Sequence, residues 1–254
     1  MKSLFFGGVH PDGHKDLSAG VPLAAMALPA QAAVLLSQHI GAPCQPLVAV
    51  GDTVCLGQKI GDGDGLCVPV HAPVSGVVTG IEDRPHPGGG TCPAILIKND
   101  FLDTPCPTLK PYSHPQALST AELVSIIREA GIVGMGGAAF PTDVKSKTGM
   151  SRTDTLILNA CECEPYITAD DVLLRTRPAD VLRGVEIVAR ILSPGRVVIA
   201  LEDNKAQAAE ILKQQLKDFP GMELKVLPTR YPQGAEKQLI QAVTGRQVPS
   251  GGLP

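Results

Sequence analysis

The sequence has no tryptophan, only three tyrosines and only five phenylalanines in 254 residues. So few rings leave little platform for stacked bases, and a formal net charge of −3 offers no basic footprint for a phosphate backbone. A nucleic-acid partner is therefore not expected. Long hydrophobic runs are also lacking. The nearest candidate, residues 19–36, is interrupted by Pro22, Pro29 and Gln31, leans on alanine and follows Asp12 and Asp16. It fits neither a secretory signal nor a membrane span, so any membrane association is expected to come through a partner. Clustered cysteines are missing too. Of the seven, Cys44, Cys55, Cys67, Cys92 and Cys106 lie 11 to 25 residues apart, and only Cys161 and Cys163 are close. That spacing gives neither a disulfide framework nor a C-x-x-C-x-x-C run for iron, and it reads as buried or loop thiols in a reducing cytosol. The six histidines contain no H-x-x-x-H pair, so any metal site they share would have to be assembled by the fold.

What the chain does have is glycine, concentrated at Gly131, Gly134, Gly136 and Gly137. Backbone without Cβ atoms lets a flat or phosphorylated ligand touch the main chain. Gly134, Gly136 and Ala139 also satisfy G-x-G-x-x-A, but the segment before them reads as a helix rather than a strand. Ser119 and Glu122 form a capping box, Leu123, Ile126, Ile127 and Ala130 repeat at helical spacing, and Gly131 suits the C-terminal cap. Pro141 then stands where a Rossmann helix should be running, which disfavours a standard dinucleotide fingerprint. A cofactor cradle and a ligand-free surface loop both fit the glycines alone.

Residues 134–145 read G-x-G-G-A-x-F-P-T-x-x-K and resemble the FMN-binding loop of the complex I 51 kDa flavoprotein family. Thr155–Pro165, T-L-I-L-N-A-C-E-C-E-P, is similar to that family's strand ending in N-A-D-E-x-E-P, and Tyr231–Glu236 to its Y-x-x-G-E-E. With F-F-G-G-V-H-P near the N-terminus, S-Q-H-I-G-A-P at 37–43 and the segment through Asp171, the chain resembles the RnfC family. Those proteins are the peripheral flavin and iron–sulfur subunits of the Rnf ion-translocating electron-transport complex. The resemblance implies FMN as cofactor and NAD(H) as substrate. It also implies two 4Fe-4S clusters in the full-length protein only, with ferredoxin and other Rnf subunits, including integral membrane subunits, as partners.

It further implies a peripheral place on the cytoplasmic side of the membrane and a cofactor set of Gly134, Gly136, Gly137, Ala138, Lys145, Asn159, Glu162 and Glu164. Phe140, Tyr231, Gly234 and Glu236 would line the NADH pocket. No catalytic residue and no metal ligand is assigned. Cys161 and Ala235 replace two acids of the family pattern, so nicotinamide binding is less strongly implied than flavin binding. Read without the family, the acidic loop Glu162, Glu164, Asp170 and Asp171 could equally be a solvated surface. The proline–glycine ending and the absence of cluster motifs imply a chain shortened at its C-terminal end, inactive alone. A cobalamin reductase-like flavoprotein and a non-catalytic docking module are the alternatives.

The fold expected is β followed by α/β. Residues 1–110, with strand, G-D turn, strand over Val48–Ile60 and a further pair within Val68–Ile81 and Ile95–Ile97, resemble a lipoyl- or biotinyl-type barrel-sandwich hybrid. Its hairpin tip, Gly61–Cys67, lacks the carrier lysine, so a structural or docking role is expected. The G-D-G-D-G turn reads as a solvated tip, since an EF-hand's twelfth-position glutamate and flanking helices are absent. After a proline-rich stretch, residues 111–254 alternate between helices at 119–130, 178–192, 204–218 and 235–244 and strands at 155–159, 196–201 and 223–227. Such alternation predicts a largely parallel sheet with ligands beyond its carboxyl edge.

Overall fold

The computed structural model describes residues 7–109, 111–112, 114–135 and 139–252. It forms two compact units, Met26–Gly149 and a discontinuous unit of Met1–Ala25 with Met150–Pro254.

In the first unit, β1 (Gln31–Leu35), β2 (Gln45–Pro46), β3 (Thr53–Val54), β4 (Lys59–Asp62), β5 (Val70–His71), β6 (Gly76–Pro85) and β7 (Thr91–Asn99) form two antiparallel sheets. Their orders are β1-β7-β6-β3 and β2-β4-β5. Val34, Val54, Ile60, Val70, Val78, Ile95 and Ile97 supply one core, the burial on which a small sandwich depends. This is the barrel-sandwich hybrid expected from the sequence. Lys59 stands in β4 and pairs with Asp62 and Glu129, so no lysine occupies the β4–β5 connection. Val48–Val50 does not form the expected strand. Asp52 Oδ2 accepts the Ala49 N–H at 2.8 Å, a local turn bond that diverts a donor a ladder would need.

Helix α1 (Thr120–Glu129) begins at the predicted capping box, in which Ser119 and Glu122 accept each other's backbone N–H. It ends at Gly131, where φ is +68° and a Cβ would lie 2.4 Å from the Pro69 carbonyl, so only glycine fits. Its last turn is clasped to the barrel: Arg128 donates to both Asp62 oxygens, at 2.7 and 3.1 Å. Although burial pushes the Asp62 carboxyl upward, Arg128, the Gly63 N–H and Lys59 hold it at about 2, below its ordinary 3.8. Its stabilising effect is thus complete above the unfolded value and is lost as pH falls through the folded one. Arg128→Met is expected to cost about 1.5–3 kcal/mol at neutral pH. In denaturant titrations, the gap from wild type should shrink as pH drops from near 4 to near 2.

Helix α2 (Thr142–Gly149) follows the glycine segment and is not among the expected helices. Its buried positions are Asp143 and Ser146, so it carries no apolar stripe from which a period could be read.

The second unit holds a three-stranded parallel sheet, β8 (Thr155–Ala160), β9 (Arg196–Glu202) and β10 (Met222–Leu227), with β9 in the centre. Helices α3 (Ala169–Thr176) and α4 (Pro178–Leu192) connect the first pair of strands, α5 (Ala206–Gln215) connects the second, and α6 (Glu236–Thr244) follows. Leu182, Ala208 and Leu212 pack on one face of the sheet, and Leu239, Ala242 and Val243 pack with Val198 and Ala200 on the other. Both faces of β9 are covered, which explains its continuous apolar run. The N-terminal segment belongs to this unit: Val9 bridges Tyr231, and Lys15 Nζ donates to the carbonyls of Glu164 and Ile167.

These units divide the chain elsewhere than at residue 110. The physical reasons are the Arg128 and Glu129 ion pairs, which tie α1 to β4, and the Val9 bridge, which ties the first residues to the last.

Candidate functional site

The predicted site residues fall into two groups, one in each unit. In the barrel unit, Val133 bridges Pro141, the Gly134 N–H donates to the Phe140 carbonyl at 2.8 Å, and the Thr142 N–H donates to the Ile132 carbonyl at 3.1 Å. These bonds bring Gly134 and Phe140 together at the two ends of the glycine segment. Met135 at its start is 94% exposed. A Cβ added at Gly134 would meet nothing nearer than 3.7 Å, so the protein's own packing does not require glycine there. Room left beside bare backbone is what a flavin cradle needs. Gly136, Gly137 and Ala138 lie outside the described residues. Phe140 is 38% exposed, and Lys145 is exposed on α2.

The second group lies where β8, β9 and β10 end, on the carboxyl edge expected to face a ligand. Asn159 ties two of these loops together: its Nδ2 donates to the Gly234 carbonyl at 2.8 Å and its Oδ1 accepts the Cys161 N–H at 3.1 Å. Gly234 sits so close that a Cβ would lie 2.2 Å from the Cys161 carbonyl. Glu162 turns inward. Its Oε2 takes Lys205 Nζ at 2.9 Å and its Oε1 takes the Asp170 N–H at 2.9 Å, so the carboxylate expected to line the pocket instead fixes the loop and the start of α3. Glu164, Tyr166 and Tyr231 are exposed, and Glu236 opens α6.

Behind these loops stands a polar cluster that sequence reasoning did not flag. Lys205 and Glu162 are each 3% exposed, and an ion pair this dry is held by mutual charge and hydrogen bonding. Glu202, fully buried at the end of β9, accepts the Arg230 N–H through Oε1, while its Oε2 and both amide atoms of Gln233 have no protein partner. Burial raises the Glu202 carboxyl above the ordinary carboxylate range, against the pull of the Arg230 N–H, Lys15 and Lys205. Burial and neighbouring Lys205 lower Lys15. Burial likewise drives the Cys161 and Cys163 thiols upward, which suits inert packing groups rather than nucleophiles. The available signal was positional: Glu202-Asp203-Asn204-Lys205 directly follows the apolar run Val197–Leu201. Orphaned polar atoms in a buried cluster are chemically apt for a polar ligand, because each unmet group costs free energy.

Comparison with known proteins divides the sequence between residues 102 and 127. The model of the Nuo51 FMN-binding domain matches residues 127–254, and that of the RnfC barrel sandwich hybrid domain matches residues 3–102. One relative, from the Na(+)-translocating ferredoxin:NAD(+) oxidoreductase complex of Acetobacterium woodii, is 44% identical over 252 residues, covering 98% of this chain and 57% of that protein. Another, from the proton-translocating ferredoxin:NAD(+) oxidoreductase complex of Clostridium ljungdahlii, is 45% identical over 258 residues, covering 100% of this chain and 56% of that protein. The chain thus spans little more than half the length of these relatives. Among solved structures, an NAD+-reducing NiFe hydrogenase in the air-oxidized state shows 25% identity with a TM-score of 0.47, over 54% of this chain and 26% of that one.

Proposed function

Because this chain belongs to the Nuo51 FMN-binding domain family and carries an RnfC barrel sandwich hybrid domain ahead of it, we propose that it is the flavin-binding part of one subunit of an ion-translocating NAD:ferredoxin oxidoreductase. The observation that carries this reading is the bond joining Gly134 to Phe140 across the glycine segment, with space beside Gly134 where a side chain could stand. When bound, FMN accepts both electrons of a hydride and releases them singly. The protein's part is placement. Backbone from Gly134 through Ala138 receives the ring, Phe140 offers an aromatic face, and Lys145 supplies a cation. Asn159 and Gly234 set the spacing of the two loops at the sheet edge, Glu162 holds its loop through Lys205, and Glu164, Tyr231 and Glu236 face the nucleotide.

Among the described residues, no helix is long and apolar enough to cross a membrane. In this reading the chain is held peripherally at the cytoplasmic face by other subunits of the complex. The test is anaerobic titration of the FMN-supplemented protein with NADH, following flavin absorbance. Bleaching is the expected result. Absence of both flavin binding and bleaching, in this chain and in the full-length protein, would end the assignment. In the same assay, Gly134→Val should weaken FMN at least about tenfold while global stability moves by less than about 0.5 kcal/mol.

A further inference from the structure

The barrel unit brings together three residues that sequence spacing kept apart. His39 lies in the loop after β1, Cys44 just before β2, and Cys67 in the connection from β4 to β5. The two sulfurs are 3.6 Å apart, His39 Nε2 is 3.7 Å from Cys67 Sγ, and all three atoms lie within 4.8 Å of one another. Zinc bonds of about 2.3 Å to sulfur and about 2.0–2.1 Å to nitrogen, on a tetrahedron, separate two sulfurs by about 3.8 Å and sulfur from nitrogen by about 3.6 Å. The two edges that meet at Cys67 Sγ, 3.6 and 3.7 Å, match that figure.

The surroundings are also those of a ligand set. His39 Nδ1 lies 3.1 Å from the Ile40 carbonyl, and donating there leaves Nε2 with its lone pair facing the thiols. That lone pair takes the Val68 N–H at 3.3 Å, and Cys44 donates to the Val68 carbonyl at 3.2 Å, long contacts that a metal bond would replace. The two loops are locked before any ion arrives. The Ala42 N–H donates to the Leu66 carbonyl at 2.9 Å, and Gly41, at φ +122°, admits that carbonyl where a Cβ would lie 2.1 Å away. Both cysteines are 3% exposed, whereas His39 lines an open cleft of about 560 Å³ together with Ser37, His86 and Ala139, which gives an entry path.

We propose that His39 Nε2, Cys44 Sγ and Cys67 Sγ form a zinc site in the barrel, with a fourth position open to water from the cleft. Zn²⁺ replaces the two thiol protons, which leave to solvent, and no electron is transferred. The ion cross-links the loop after β1 to the β4–β5 connection. Soft thiolates with one imidazole select zinc over the hard cations calcium and magnesium.

The test takes the chelator-stripped protein under reductant and titrates it separately with Zn²⁺ and Co²⁺. One equivalent of zinc should bind, and cobalt should show thiolate charge transfer with the intense d–d bands of tetrahedral coordination. Cys44→Ser and Cys67→Ser should abolish both signals, and His39→Gln should weaken binding at least about tenfold. Cys106→Ser, outside the cluster, should change nothing. A cobalt spectrum indifferent to Cys44 and Cys67, or recovery of those thiols as a disulfide under the same reductant, overturns the site. Should the serine variants misfold, alkylation of the wild type decides: zinc should shield Cys44 and Cys67, and equal labelling with and without zinc refutes the proposal. None of these readouts involves flavin.

Discussion

Lys205→Met should destabilise the α/β unit by about 3–5 kcal/mol, the usual cost of stranding one member of a buried ion pair. Glu162 would keep the Asp170 N–H but lose the one cation it touches, with its side chain 3% exposed. Lys205 also counters Glu202, so its removal leaves two buried carboxylates with Lys15 as the remaining nearby cation. Glu202, which burial already raises, loses Lys205 from the groups that lower it, so its folded pKa rises further. Stability linked to a raised acid is present at low pH and is lost as pH climbs past the unfolded value. The deficit of the variant should therefore be largest near neutrality and should narrow toward pH 4. Thermal and urea unfolding across that range would measure it. A deficit that does not vary with pH would show that Lys205 does not govern the protonation of Glu202. Double replacement of Lys205 and Glu162 by Met and Gln should recover much of the loss, because Glu162 then carries no charge and Lys15 is left to counter Glu202 alone.

The second large effect is expected at Gly234. Alanine there would put a carbon 2.2 Å from the Cys161 carbonyl and 3.5 Å from Cys163 Sγ. The obstacle is backbone, which cannot swing aside as a side chain does. The loop after β8 must therefore separate from Tyr231–Gly234, breaking the Asn159 to Gly234 bond and the Gly234 N–H contact to Cys163 Sγ. The sheet and its helices lie behind these loops, so the circular dichroism spectrum should be retained. FMN affinity should fall by about tenfold to a hundredfold, since a displacement of this size at a positioning group has that order of effect. Unchanged affinity would mean that these two loops do not act together on the flavin.

The parts of the fold visible in the sequence were those with an apolar period or a cap. Ser119 and Glu122 marked the start of α1, and the run Val197–Leu201 marked a strand covered on both faces. What stayed hidden was polar. Helix α2 buries Asp143 and Ser146, and α3 opens with two aspartates, one of which is buried, so neither announces itself by hydrophobic spacing. The same holds for the site. Glycines and loop motifs were legible because they act through local backbone. The Glu162–Lys205 pair joins positions 43 residues apart and looks like ordinary surface charge until a sheet brings it indoors. His39, Cys44 and Cys67 were equally unreadable, since the loops that gather them come from separate strands.

The stitching of Val9 to Tyr231, and of Arg230 to the Gly7 carbonyl across 223 positions, sets an order of events during synthesis. The barrel with α1 and α2 is a continuous stretch, able to fold as soon as Gly149 has cleared the ribosome. Lys15 finds its carbonyls on Glu164 and Ile167 sooner, but the bonds of Gly7 and Val9 must wait for Arg230 and Tyr231, and closing so long a loop is slow. A bulky amino-terminal fusion would burden that late step, whereas the same tag placed at the other end would leave it free.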